Sequence, residues 1–293
     1  MGAMTTKTGA NDAAGPREPY GGAGRGEGNE TMRHYTIQHD GVTIPVSRGG
    51  RGRPLVLCPG LNTTQDELGE LAGLLRRDHD VVTFDLRGHG RAAAAGPYTF
   101  EAFLGDLTAV TGHLDLPEPP LLVGYSLGAD LAVHHAARHP VAGLVLIDGA
   151  NPVPEPFVTG DALPEFRAMW EDLARGREAD RGTPRQVLLT GREILDLNLE
   201  IDAIRAGILC RYAEIDRPVT MIMSTSMAGN GRDGRAARFN RNWRAGVERL
   251  VRERPDVAVS WIDADHRLVF THAPRIARLI QAAASAPPER ASR

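Results

Sequence analysis

Five residues, Gly124-Tyr125-Ser126-Leu127-Gly128, constrain the fold of this chain more than any other segment. An unbroken apolar run, Leu121 to Tyr125, leads into them, and a helical pattern, Ser126 to His139, leaves them and stops at Pro140. A turn that joins the two directly is sharp enough to strain the serine backbone. Strand and helix then pass so close that the flanking positions have to be small. Glycine at 124 and 128 meets that need. The serine stands at a helix N-terminus, where unpaired N–H groups and the helix dipole favour negative charge. Chance spacing in a chain with 33 glycines would not also supply the strand before and the helix after.

The same alternation runs through most of the chain. His34 to Gln38 and Val42 to Arg48 read as a hairpin turning at Asp40-Gly41. Further strands are expected at Leu55 to Cys58, Val81 to Phe84, Leu121 to Tyr125, Leu144 to Ile147, Val219 to Met223 and Val257 to Ile262. Helical spacing fills the gaps at Gln65 to Arg77, Phe100 to Leu114 and Val269 to Ala284. Strands that are apolar throughout and alternate with helices imply a mostly parallel eight-stranded α/β sheet covered on both faces. One stretch breaks the pattern. After the proline-rich Asn151 to Pro156, no strand is evident as far as Arg217, only helical patterns. The expected organisation is a disordered tail (1–30), the first part of the core (31–150), an inserted helical cap (151–217), the second part of the core (218–285) and a short tail (286–293).

Composition removes several classes. With 34 Lys and Arg against 37 Asp and Glu, the formal net charge is −3, which argues against nucleic acid as a partner. Arg235, Arg238, Arg241 and Arg244 recur at helical spacing and read as a solvated helix face. No uncharged apolar run reaches the roughly 18 residues of a membrane span, so no membrane partner is expected. The first thirty residues hold no apolar h-region, which gives the expectation of a cytoplasmic protein. Two cysteines, Cys58 and Cys210, do not make a disulfide framework, and both are expected in the core. No metal-ligand spacing and no dinucleotide fingerprint occurs, so neither metal nor cofactor is expected. The oligomeric state stays open, a homodimer included.

A second landmark, Asp85-Leu86-Arg87-Gly88-His89-Gly90, follows the Val81 to Phe84 strand. Together with Pro59-Gly60, the serine turn and a late histidine, it makes the chain resemble the α/β-hydrolase superfamily over residues 33–285. The resemblance implies that Ser126 is a nucleophile on a strand-to-helix elbow. It also implies that His266, in the loop after the last strand, is the base, since an imidazole can take a serine proton at neutral pH. Many members carry the acid after the strand that here is Val219 to Met223, but Ser224 to Asn230 holds no carboxylate. Asp148, at the end of the preceding strand, is preferred as in some branches, with Asp233 as the alternative. The backbone N–H groups of Leu61 and Leu127 are the expected oxyanion donors. Asp85 and Arg87 are expected to hold loops, with His89 within reach of the pocket rim but without a catalytic role.

Asn62, Tyr125, Phe166 and Trp170 are expected to line a substrate pocket under the cap. Leu163, Phe166, Met169 and Trp170 share a helical face, and an amphipathic cap over the serine implies an apolar acyl or ring-bearing small molecule. The expected reaction is hydrolysis of an ester or thioester through an acyl-enzyme. Two alternatives remain: other chemistry on the same residues (C–C bond hydrolysis, lyase or cyclase activity, cofactor-free oxygenation), or small-molecule binding on a hydrolase scaffold.

Overall fold

The central strands carry no charge on either face beyond their first residue, so both faces have to be shielded from water. The computed structural model of the chain describes residues 32–94, 96–231 and 234–285. The expected tails at 1–30 and 286–293 lie outside the described residues, as does Asp233. The strands are β1 (Arg33–His39), β2 (Val42–Gly49), β3 (Arg53–Cys58), β4 (His79–Phe84), β5 (Leu121–Tyr125), β6 (Gly143–Ile147), β7 (Val219–Ser224) and β8 (Ala258–Ile262). They form one eight-stranded sheet in the order β1-β2-β4-β3-β5-β6-β7-β8. The hairpin β1–β2 joins antiparallel to β4, and every pairing from β4 to β8 is parallel.

Successive side chains on a strand point to opposite faces. In β3, Val56 and Cys58 therefore pack on one side with α2 (Phe100–His113) and α3 (Leu127–Ala136). Leu55 and Leu57 pack on the other with α1 (Gly69–Leu75) and α9 (Ala273–Ser285). Two helices differ from the sequence reading. The expected helix from Gln65 starts only at Gly69: Thr64 and Glu67 close a capping pair, but residues 65–68 stay in turns. The expected helix from Val269 is split into α8 (Leu268–Thr271) and α9, with Pro274, which has no N–H to donate, in the first turn of α9.

Between β6 and β7 the chain forms α4 (Leu163–Arg177), α5 (Gly191–Ala206) and α6 (Ile208–Ala213). Thr190 and Glu193 close a reciprocal capping box that starts α5. The strand-like stretch before it is pinned to the Asp85 turn, with Gly90 N donating to Gln186 O and Leu188 N to Gly88 O, both at 2.8 Å. Cys58 is buried in β3, but Cys210 is exposed on α6, against expectation. The face of α6 that packs inward belongs to Ile208 and Tyr212. The arginines at 235, 238, 241 and 244 lie exposed along α7 (Gly234–Glu253), whose opposite face buries Phe239, Trp243, Val247 and Leu250. No helix among the described residues is long and apolar enough to cross a membrane.

Arg87 anchors the Asp85 turn from within the core. It is fully buried and makes a bidentate pair at 2.7 Å with Asp106 of α2, which is also fully buried. Removing one member leaves an uncompensated charge, whereas removing both does not. Arg87→Met should therefore lower the unfolding free energy by about 3–5 kcal/mol. Arg87→Met with Asp106→Leu should recover most of that loss, as read by urea denaturation.

Candidate active site

Strands β5, β6, β7 and β8 lie side by side and parallel, about 4.8 Å apart, so the residues that follow their C-terminal ends converge. Ser126 follows β5, Asp148 follows β6, Ser224 ends β7, and His266 lies in the loop after β8. Ser126 and Asp148 stay in the ladder, with Ser126 N donating to Ile147 O at 2.9 Å and Asp148 N to Ile222 O at 3.0 Å. Both then turn left-handed, at φ 52° and 48°. Such strain costs roughly 1–3 kcal/mol per residue and persists only where the surroundings enforce it. At Ser126 the enforcement is close approach. A Cβ at Gly124 would meet Gly128 O and Ala129 Cα, and one at Gly128 would meet the carbonyls of Cys58 and Pro59.

The three side chains meet in a line. Ser126 Oγ is 2.9 Å from His266 Nε2, and His266 Nδ1 is 2.8 Å from Asp148 Oδ2. Asp148 is fully buried and takes three further donors: Ser224 N–H at 2.9 Å, Ser224 Oγ–H at 2.7 Å, and Trp243 Nε1–H at 2.9 Å. A carboxylate offers only acceptors, so Nδ1 of His266 carries the proton and Nε2 is free to accept from Ser126. The loop holding His266 is fixed from two sides. His266 N donates to Met227 O at 3.3 Å, and the Tyr125 hydroxyl donates to His266 O at 2.8 Å.

Tyr125 therefore takes a different place from the expected one. It does not line the cavity but sits behind the histidine, its ring centroid 5.3 Å from the imidazole, because alternation along β5 puts it on the face of Leu121 and Val123. Leu61, Asn62, Leu127, Phe166 and Trp170 do line the cavity with Ser126 and His266. It measures about 650 Å³, within the range of small-molecule sites. Phe157, Met227, Phe239 and Trp243 add to its apolar wall. None of these four carries a local sequence signal. Ser224 and Trp243, which hold Asp148, are equally hidden, since the β6–β7 pairing brings the first to it and the placing of α7 the second. Among the described residues, no group of three or more His, Cys, Asp or Glu side chains is placed to hold a metal ion.

The loop carrying Leu61 is held as tightly as the histidine. Asn62, left-handed at φ 62°, donates its N–H to His89 Nε2 at 3.1 Å, and its carbonyl accepts from Arg177 of α4. His89 is not at the pocket rim. It is fully buried, and its Nδ1–H donates to Arg87 O at 2.9 Å, which leaves Nε2 as the acceptor for Asn62. With the Asn62 N–H engaged, the N–H of Leu61 is left to face an incoming oxygen. Burial, helped by the nearby Arg177 charge, lowers the His89 pKa from 6.5 to about 4, so the ring stays a neutral acceptor.

Residues 53–267 match the family described as alpha/beta hydrolase fold. AB hydrolase superfamily protein YisY of Bacillus subtilis (strain 168) is 27% identical over 233 residues, which cover 71% of this chain and 84% of that protein. The non-heme haloperoxidase of Rhodococcus erythropolis is 34% identical over 124 residues, 41% of this chain and 45% of the haloperoxidase. The crystal structure of E-2-(acetamidomethylene)succinate hydrolase has a TM-score of 0.65 at 19% identity, covering 87% of this chain and all of that one, a likeness of fold.

His89 makes the stability of this loop depend on pH. Its pKa is lower in the folded state, so the unfolded chain takes up the proton first. Its contribution is complete above pH 6.5 and is lost as pH falls toward about 4. Between pH 7 and pH 4 the wild type should lose about 3 kcal/mol more stability than His89→Gln, measured by denaturant unfolding at each pH. Equal losses would contradict this account of the loop.

Proposed function

The chain belongs to the α/β-hydrolase family of enzymes, and on that premise we propose that it is a serine hydrolase acting on an ester or thioester of an apolar small molecule. The observation that carries the reading is the relay from Ser126 Oγ through His266 to Asp148, with contacts of 2.9 and 2.8 Å at the wall of the cavity. His266 Nε2 takes the serine proton as Oγ attacks the carbonyl carbon, and Asp148 stabilises the imidazolium that forms. The carbonyl oxygen gains charge and is met by the N–H groups of Leu61 and Leu127, which donate to no protein acceptor among the described residues. Donors of this kind contribute about 2.7–4 kcal/mol each to the transition state. His266 returns its proton to the departing alcohol or thiol. Water then attacks the acyl-enzyme with the same base, releasing the acid.

The cavity supports an apolar, uncharged acyl group. Its wall is chiefly aromatic and aliphatic, and its two arginines are already paired, Arg205 with Asp130 and Arg235 with Glu165. An anionic substrate would have to compete with these carboxylates.

A fluorophosphonate probe read by intact mass tests the reading. The wild type should label once, and Ser126→Ala not at all. Asp148→Asn keeps the shape but offers the histidine an amide, which favours the wrong tautomer, and labelling should slow by about 10³–10⁴-fold. A folded wild type that does not label would overturn the serine mechanism.

A further inference from the structure

We propose that Trp243 is a positioning residue of this reaction and that Arg205, on α5, is what holds it in place; the proposal rests on the Ser126–His266–Asp148 reading above. Asp148 sits where no water reaches it, so the donors around it decide whether its charge is tolerated and which way its Oδ2 points. Ser224 supplies two donors from the end of β7, next to Asp148 in the sheet. The remaining one, Trp243 Nε1–H, comes from α7 and reaches Oδ1, on the far side of the carboxylate from the histidine. An indole N–H can only donate, so Oδ1 of Asp148 is the acceptor in this contact.

Trp243 is 2% exposed, and the sides turned away from the cavity are packed. Its backbone carbonyl accepts from the Nδ2 of Asn151 at 2.7 Å, and Asn151 is itself fully buried three residues after Asp148. The Phe157 ring lies 5.8 Å away, and the Arg205 guanidinium lies 5.6 Å from the indole centroid. Arg205 in turn makes a bidentate pair, 2.9 and 2.6 Å, with Asp130. Asp130 is fully buried on α3, four residues after Ser126.

A buried ion pair is a poor way merely to join two helices, because apolar side chains of the same volume do so at less cost in desolvation. What the pair adds is geometry. A bidentate fork fixes the plane and position of the guanidinium, and with it the cation that the indole face meets. Arg205 belongs to the segment between β6 and β7, whereas Asp130 and Asp148 belong to the sheet and its helices. The last hydrogen bond to the acid is therefore complete only when α5 is seated on α3.

The test uses the full chain and a short p-nitrophenyl ester. Trp243→Phe keeps a ring and removes the N–H, and should lower kcat by about 10- to 100-fold with KM within about twofold, the loss of one charge-assisted hydrogen bond. The downfield proton resonance of His266 Nδ1–H should move as well, which loss of packing alone would not cause. Arg205→Met with Asp130→Leu removes both members of the pair, with Asp202 left as the neighbouring charge. It should lower kcat in the same direction but by less, and combining it with Trp243→Phe should add little, because both act through one bond. This second variant also carries the test if Trp243→Phe does not fold. Wild-type kcat in folded Trp243→Phe, an effect on KM alone, or losses that multiply would each overturn the proposal. Fluorophosphonate labelling of the wild type separates the two readings. Labelling at Ser126 with no kcat change in Trp243→Phe refutes only this inference, whereas absence of labelling refutes the triad and the inference with it.

Discussion

A carboxylate buried at the end of a central strand sets the terms for the rest of this structure. Taking an ion of that size out of water costs several kcal/mol, and the cost is offset only if its lone pairs are met by well-placed donors. Asp148 meets four, from Ser224, Trp243 and His266. These three residues come from different elements, so the position of the acid ties β7, α7 and the loop after β8 to the end of β6. The positive φ at Asp148 belongs to the same constraint, since it turns the side chain back across the sheet end while its N–H stays in the ladder.

The helices between β6 and β7 do more than close a cavity. Arg177 reaches down to the Asn62 carbonyl and to Glu67, and Arg205 reaches to Asp130. One contact steadies the loop that presents the Leu61 N–H, and the other lies behind the acid. His89 works from the opposite side. Its neutral ring links the Asp85 turn to the Leu61 loop, which gives the Asp85-Leu86-Arg87-Gly88-His89-Gly90 segment a concrete task at the site.

Much of the sheet was legible because its signals are local. Apolar runs, glycines at close approaches, and a strand followed at once by a helix are read from neighbouring residues. A boundary differs where proline resets the backbone, as Pro274 does in α9. Tyr125 departs from expectation for a simpler reason. Adjacency to Ser126 in sequence suggests adjacency in the pocket, but alternation along β5 sends the side chain to the other face. Cys210 was misplaced because α6 is short and amphipathic, and its pattern alone does not say which side meets water.

The order of amino acids suffices for the elements and their succession, and with them the serine at the sharp turn and the histidine after the last strand. These follow from short-range sterics and from hydrophobic periodicity, which are properties of a few consecutive residues. Folding in three dimensions chooses which donors surround Asp148, where His89 sits, and which rings wall the cavity. Ser224, Trp243 and Asp148 lie 76 and 95 positions apart in the chain and meet only because parallel strands bring their C-terminal ends together and α7 packs against them. Hydrogen bonds across such separations leave no periodic trace in a single sequence, since their partners are chosen by packing and not by spacing.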